Sequence, residues 1–238
     1  MITPSSDEIV KLAEKYTIIP VCREIYADMI TPIALLRRLQ TRSDRFFLLE
    51  SVEGGEKWAR YSFLGYDPIL RATCRNGRVT LEGAENRTVE TDKPLSVLRE
   101  VLSRYRAPHI EGLPPFTGGF VGYFAYAMLG YAEPTLRIKR GAWDDFDLML
   151  FDKVIAFDHF RQKIILIVNI RCEDLKTEYH RAELELSTMK QLIQSGEMAE
   201  EIPGRCTSEF RALFDQKQYC SMVEKAKHYI REGDIFQV

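Results

Sequence analysis

The sequence is poor in the residues that build metal centres and disulfide frameworks. It has five cysteines, an odd number, and none of them forms a Cys-x-x-Cys pair: Cys22, Cys74, Cys172, Cys206 and Cys220. Its four histidines lie far apart along the chain, without the short spacing that metal ligands usually have. We therefore expect scattered reduced thiols, as in a cytoplasmic protein, and no metal site in this chain.

The sequence also lacks a strong net charge and a long apolar run. The formal net charge of the 238 residues is −2, so no overall field attracts nucleic acid or an anionic membrane. No apolar run approaches the roughly 20 residues that a membrane-spanning helix needs. A secretion signal begins with basic residues, whereas this chain has acidic residues near its start. We expect a globular protein located in the cytoplasm, with no nucleic-acid or membrane partner.

Hydrophobic periodicity and turn residues predict an α/β order of elements. Helices are predicted at residues 7–16, from Pro32 after the cap Thr31, from Pro94 to about Arg106, at 174–195 and at 216–232. Strands are predicted at 17–22, at 70–75 and 78–82 around the Asn76-Gly77 turn, and at 164–169. The β-branched run 164–169 is typical of a strand that is buried on both faces.

The apolar residues of two predicted helices indicate which faces are buried. In the helix that begins at Pro32, the residues assigned to the core are Ile33, Leu35, Leu36 and Leu39. In the last helix, they are Tyr219, Met222, Val223, Ala226, Tyr229 and Ile230.

A polar segment near the end of the chain divides the sequence into two parts. Residues 197–208 contain Glu, Pro, Gly and Arg but few apolar residues, which predicts an exposed linker. It would separate a domain of residues 1–196 from the segment 209–238. That segment ends in a predicted apolar strand, 234–238, whose backbone groups need neighbouring strands. We therefore expect the chain to be the front part of a longer protein.

The segment Phe46–Gly65 carries the strongest functional signal. An apolar run ends in Leu49, Glu50 and Ser51, a Glu-Gly-Gly turn follows, and a second β-prone run leads away from it. Two such runs around a Gly-Gly turn predict a hairpin, with the Glu50 carboxylate and the Ser51 hydroxyl at its mouth. A small ligand could be bound there. The alternative is a strand end that is capped by two polar residues.

Two further segments have mainly structural interpretations. The glycines of 118–126 alternate with bulky residues, which predicts a strand with close backbone approach. The segment is not a phosphate-binding loop, because no Lys-Ser or Lys-Thr follows and the Gly-x-Gly-x-x-Gly order is absent. The aspartates of 144–158 are regularly placed among apolar runs, which favours strand ends and turns over a metal or acid–base site.

Several ordered motifs resemble the anthranilate synthase component I family. Near the N-terminus, the matching segments are Leu48–Ser51 and Arg60–Gly65. Near the C-terminus, Ala226-Lys227, Tyr229-Ile230 and Gly233–Val238 match the opening of that family's chorismate-binding domain. The resemblance covers Ile9–Val238, although Ala127 stands where the family usually has Asp. It implies an α/β (α+β) fold with mixed or antiparallel sheets in a β-sandwich-like core, flanked by helices.

The resemblance also implies a regulatory role for residues 1–196. In that family, the segment that matches Leu49, Glu50 and Ser51 lines the site where L-tryptophan acts as a feedback inhibitor. Ser51 would hydrogen-bond the polar end of tryptophan, and Glu50 would offset its ammonium charge. Arg60 and Tyr61 are added as hairpin neighbours that could close the pocket. No residue of this chain is assigned a catalytic or metal-binding role.

For the complete enzyme, the resemblance implies conversion of chorismate and ammonia to anthranilate and pyruvate in tryptophan biosynthesis. The ammonia would come from a glutamine amidotransferase subunit, component II. Mg²⁺ would be the cofactor, with its ligands beyond residue 238, so this chain alone is expected to be inactive. Three alternatives stay open: aminodeoxychorismate synthase component I, a stand-alone tryptophan-binding domain, and a structural α/β domain that mediates subunit contact.

Overall fold

The computed structural model describes residues 2–50, 60–133, 135–136, 138, 141–195, 197–200 and 203–238. It divides into two compact units, residues 1–200 and 201–238. The described residues form eleven strands and six α-helices. All strand pairs are antiparallel. The predicted mixed architecture of antiparallel sheets with flanking helices is confirmed.

Two sheets form the larger unit. The strands are β1 (Ile2–Thr3), β2 (Ile18–Tyr26), β3 (Phe46–Leu49), β4 (Tyr61–Tyr66), β5 (Leu70–Arg75), β6 (Arg78–Gly83), β7 (Arg87–Glu90), β8 (Gly119–Phe124), β9 (Phe146–Phe151), β10 (Lys153–Asp158) and β11 (Lys163–Arg171). The first sheet has the order β1-β2-β11-β10-β4-β3, and the second has the order β7-β6-β5-β9-β8. Strands β9 and β10 are separated by Asp152 alone, so this residue marks the passage from one sheet to the other.

The helices begin and end largely where the capping residues predict. They are α1 (Ser6–Ala13), α2 (Pro32–Leu39), α3 (Pro94–Ser103), α4 (Leu129–Ala132), α5 (Leu175–Ser195) and α6 (Gln216–Glu232), and a 3₁₀ turn covers Tyr126–Met128. Thr31 accepts a hydrogen bond from the Ala34 amide, with Pro32 in the first turn. One assignment to the core of α2 is wrong, because Ile33 is 58% exposed while Leu35 and Leu39 are fully buried.

Strand β11 lies at the centre of the first sheet and is buried on both faces, as predicted. On one face, Ile164, Leu166 and Val168 belong to a core cluster shared with α5. On the other face, Ile165 and Ile167 belong to a second cluster, against which Phe63 and Phe116 pack. The helix residues in the first cluster are Ala182, Leu186, Met189, Leu192 and Ile193, which have the predicted helical spacing. This core holds the first sheet in place against α5.

The second sheet has its own core, which it shares with α3. Val97, Leu98 and Val101 of the helix pack with buried residues of β5, β6 and β9. The predicted hairpin turn between β5 and β6 is confirmed, since Asn76 and Gly77 have φ values of 54° and 81°. The predicted close approach of the β8 backbone to its surroundings is also confirmed, because β8 lies tightly against β9 at Gly122. A Cβ atom at Gly122 would overlap the backbone oxygen of Asp147 and lie 2.9 Å from the Leu148 Cα.

The smaller unit consists mainly of helix α6. Asp215 accepts a hydrogen bond from the Gln218 amide at 2.8 Å, and Gly233 ends the helix with φ 82°. Two predictions are wrong within this unit. Of the apolar residues assigned to a buried face, all but the half-buried Ala226 are exposed, as Tyr219 (61%) illustrates, because no other described element of the unit covers them. Residues 234–238 form no strand, since no neighbouring strand of the unit pairs with them.

Candidate functional site

The predicted β-hairpin at residues 46–65 positions the candidate ligand site. Strands β3 and β4 pair antiparallel, with Phe46 opposite Tyr66 and Leu49 opposite Phe63. The two strands are therefore confirmed, while the predicted Glu-Gly-Gly turn falls within residues 51–59, which lie outside the described residues. Ser51, the residue that the resemblance assigned to tryptophan binding, is among these. The strand ends nevertheless define where the mouth of the hairpin lies.

Two of the predicted site residues share one face of the sheet at this mouth. Leu49 is directly opposite Phe63, and Tyr61 stacks on Phe63 with 5.8 Å between the ring centroids. Because alternate residues of a strand point to the same face, Leu49, Tyr61 and Phe63 form a continuous apolar surface. Leu49 is 48% exposed, and Glu50 next to it is also exposed. A ligand could therefore contact apolar and acidic groups together here.

Arg60 has a defined partner that sequence reasoning missed. Its guanidinium donates two hydrogen bonds to the carboxylate of Asp158, from Nε to Oδ1 at 3.0 Å and from Nη2 to Oδ2 at 2.6 Å. It also lies 4.8 Å from the centre of the Tyr61 ring. Arg60 is thus held at the mouth beside Tyr61, and two of its guanidinium nitrogens are already hydrogen-bonded to the Asp158 carboxylate. Any ligand contact by Arg60 has to share the guanidinium with Asp158.

The electrostatics of the mouth follow from this pair. Burial alone would raise the pKa of Asp158, but hydrogen bonds from Arg60 and from the amides of Arg161 and Phe160 outweigh it and lower the pKa. Burial, together with the negative charge of Asp158, raises the pKa of Tyr61. Asp158 is therefore ionised and Tyr61 neutral near pH 7. The mouth of the hairpin therefore presents the neutral hydroxyl of Tyr61 beside the ion pair of Arg60 and Asp158, whose opposite charges offset each other.

A second, unpredicted cleft of about 310 Å³ lies between the two sheets. Asp152, Asn169 and Arg181 line its polar end, and Leu150 and Phe151 are among its apolar lining residues. Burial raises the pKa of Asp152, and among the described residues its buried Oδ1 atom has no hydrogen-bond partner. The sequence signal for this cleft is the glycine pair at 118–119, which lines it.

Metal-binding groups are sparse in the part of the chain that the structure describes. There, no group of three or more His, Cys, Asp or Glu side chains is arranged to hold a metal ion. Over the same residues, no helix is long and apolar enough to cross a membrane.

Comparison with known proteins decides the family. Residues 45–238 match the family model described as chorismate binding enzyme. The chain belongs to the family of chorismate-binding enzymes. The matched range begins just before β3, so it includes both hairpin strands, Arg60, Asp158 and every lining residue of the inter-sheet cleft except Ile18.

Individual members of the chorismate-binding family resemble the chain over its whole length. It is 35% identical to anthranilate synthase component 1 of Acetivibrio thermocellus, over 100% of this chain and 50% of that protein. It is 36% identical to the protein of the same name from Aquifex aeolicus, over 98% of this chain and 49% of that protein. The resemblance to anthranilate synthase component I is thereby confirmed. The chain spans about half the length of the curated relatives it matches.

Among solved structures, the crystal structure of anthranilate synthase component I from Streptococcus pneumoniae is similar to this chain. The sequence identity is 24% and the TM-score is 0.49. The similarity covers 90% of this chain and 46% of that one.

Proposed function

We propose that this chain is the N-terminal part of an anthranilate synthase component I. The complete protein would convert chorismate and ammonia to anthranilate and pyruvate, a lyase reaction of tryptophan biosynthesis. One observation carries the proposal: curated proteins of this name align with 98–100% of the chain at 35–36% identity. They are about twice as long, which leaves room for the chemistry outside residues 1–238.

The role of the chain itself would be feedback regulation by L-tryptophan at the mouth of the β3–β4 hairpin. The apolar surface of Leu49, Tyr61 and Phe63 would receive the indole, which gains free energy by burying its area there. Glu50 would offset the ammonium group, and Ser51 would hydrogen-bond the polar end of the ligand. Binding at such a position affects catalysis if two conformations of the protein differ in their affinity for tryptophan.

The remaining components of the reaction would be supplied from elsewhere. A glutamine amidotransferase subunit would provide ammonia, and the assembly would work in the cytoplasm. Mg²⁺ would assist the complete enzyme as a Lewis acid that neutralises substrate charge. The described residues of this chain contain no group of ligands suited to it. We propose that the Mg²⁺ ligands and the catalytic steps lie in the remainder of the complete enzyme.

The proposal is tested by the products of two proteins, the complete enzyme and this chain of 238 residues. With chorismate, ammonia and Mg²⁺, the complete enzyme should form anthranilate, identified by its fluorescence and mass, and this chain should form none. Aminodeoxychorismate as the product of the complete enzyme would replace the proposed activity. Anthranilate formation by the chain alone would overturn the placement of the active site.

A further inference from the structure

The cleft between the two sheets is far from the proposed tryptophan site. Asp152, at its polar end, directly precedes β10, whereas Asp158, at the hairpin mouth, is the last residue of that strand. Six residues of extended chain span roughly 20 Å, so the two places lie at opposite ends of the strand. Any ligand of the cleft is therefore separate from a ligand at the hairpin mouth.

The cleft has the size and lining of a small-molecule site. Its volume of about 310 Å³ is within the range of roughly 300–1,000 Å³ that is typical of ligand pockets. Its apolar walls come from Ile18 of the first sheet, from Leu150 and Phe151 of the second, and from Leu102 of α3. Such walls favour a ring or a compact hydrocarbon body, because burying apolar area is worth about 25 cal/mol per Å².

At the polar end, the two arginines differ in how far they are already occupied. Arg181 donates hydrogen bonds to the Glu178 carboxylate at 2.9 Å and to the Asn169 backbone oxygen at 3.1 Å. Among the described residues, the Arg171 guanidinium has one long hydrogen bond, to the Tyr105 hydroxyl at 3.4 Å, and lies 5.7 Å from the Tyr105 ring. The backbone amide of Arg171 donates a hydrogen bond to the Glu178 carboxylate at 3.0 Å. Among the described residues, no carboxylate forms an ion pair with Arg171. The planar guanidinium of Arg171 can therefore donate hydrogen bonds to an anionic ligand.

The floor of the cleft is already ordered. The Asn169 amide donates hydrogen bonds to the backbone oxygens of Thr117 at 2.7 Å and Asp152 at 3.1 Å. A Cβ atom at Gly118 would lie 2.7 Å from the Asn169 Nδ2 atom and 2.9 Å from the Phe151 oxygen, so only glycine allows this approach. A ligand that enters such a preformed site does not have to order the backbone, which favours binding.

We propose that this cleft binds a small monocarboxylate that carries an aromatic or other compact ring. The ring lies against the apolar walls, and the carboxylate accepts two parallel hydrogen bonds from Arg171. Arg181 contacts the carboxylates of Glu178 at 2.9 Å and Asp152 at 3.9 Å, so Arg171 alone is left to pair with the ligand and accommodates a single carboxylate. The selected ligand is therefore an amphipathic monoanion, whatever its source in the cell.

The test uses benzoate as the probe and the ¹⁵N-labelled chain. Benzoate should produce saturable shifts at the backbone amides of Gly118, Gly119, Asp152 and Arg171. Benzamide, which has the same ring without the charge, should bind at least about tenfold more weakly, because a hydrogen bond to a charged group is lost. Arg171→Met should weaken benzoate binding by a similar factor, and Arg171→Lys should have an intermediate effect.

Arg75→Met is the matched control, since Arg75 is an exposed arginine at the β5–β6 turn, away from the cleft. It should leave benzoate binding unchanged. The proposal is overturned if benzoate gives no saturable shifts, if benzamide binds equally well, or if Arg171→Met has no effect. Shifts confined to Tyr61 and Asp158 would also overturn it and would place the ligand at the hairpin mouth. None of these results depends on the proposed anthranilate synthase activity.

Discussion

Arg60 and Asp158 are joined by two parallel hydrogen bonds, although 98 residues separate them in the sequence. The Asp158 side chain is 1% exposed and that of Arg60 is 31% exposed, so the carboxylate is buried while the guanidinium is partly exposed to solvent. It fastens the residue before β4 to the end of β10, beside the mouth of the hairpin. The stability of this mouth should therefore depend on the charge of Asp158.

Asp158→Asn should reduce the free energy of unfolding by about 2 kcal/mol at pH 7, because the guanidinium loses its charged partner. The folded-state pKa of Asp158 is below the ordinary 3.8. Its stabilising contribution is therefore present above the unfolded pKa and is lost as pH falls through the folded pKa. Urea unfolding of both proteins at pH 7 and near pH 3 measures this. The exposed Asp92→Asn is the control, and a pH-independent difference would contradict the argument.

Asp152→Asn should have the opposite pH dependence. Burial raises the folded-state pKa of Asp152 above 3.8, so the ionised form destabilises the fold as pH rises through that folded pKa. The variant should gain roughly 1 kcal/mol at pH 8 and almost nothing at pH 4, because its amide never ionises. Thermal unfolding at the two pH values provides the comparison. Destabilisation that is larger at pH 8 than at pH 4 would contradict this and would mean that the ion pair between Asp152 and Arg181 dominates.

Gly122→Ala should destabilise the second sheet by about 3 kcal/mol, since a Cβ atom there overlaps the backbone oxygen of Asp147, which cannot move aside without breaking strand pairing. Gly141→Ala is the matched control, because no atom lies within 4 Å of a Cβ at that position. Chemical unfolding of both variants gives the difference. Similar stabilities for the two would show that β8 adapts to the added methyl group.

Ser51→Phe in the complete enzyme should relieve inhibition by tryptophan, because the ring would occupy the place of the ligand's polar end. Inhibition curves of anthranilate formation measure the effect, and at least a tenfold rise in the inhibitory concentration is expected for the loss of a hydrogen bond combined with a steric clash. Ser103→Phe, on the exposed end of α3, should leave inhibition intact. Unchanged inhibition of the Ser51 variant would remove Ser51 from the site.

Features that depend on neighbouring residues were predicted from the sequence. Thr31 and Pro32 begin α2, and Asn76-Gly77 forms the turn between β5 and β6, because capping and positive φ are local requirements. The buried strand β11 could also be predicted, since a nearly continuous β-branched run suits a strand covered on both faces.

Features that depend on distant partners could not be predicted. No spacing rule links Arg60 to Asp158 or brings Arg171 close to Tyr105. Periodicity indicates which residues of a helix share a face, but it does not say how far that face is covered. Ile33 illustrates this, since it follows the apolar pattern of α2 and is nevertheless mainly exposed. The inter-sheet cleft escaped prediction for the same reason, because its lining comes from segments far apart in the chain.

The pairing of β2 with β11 has a consequence for synthesis on the ribosome. Ile18 pairs with Arg171 and Tyr26 with Lys163, so β2 cannot find its main partner until almost the whole larger unit has been translated. At about 5–20 residues per second, that interval lasts roughly 7–30 seconds. During this time, the apolar residues of β2 have no sheet to join, which makes the nascent chain a substrate for chaperones. Translation that stalls before residue 171 should yield aggregating rather than folded chains.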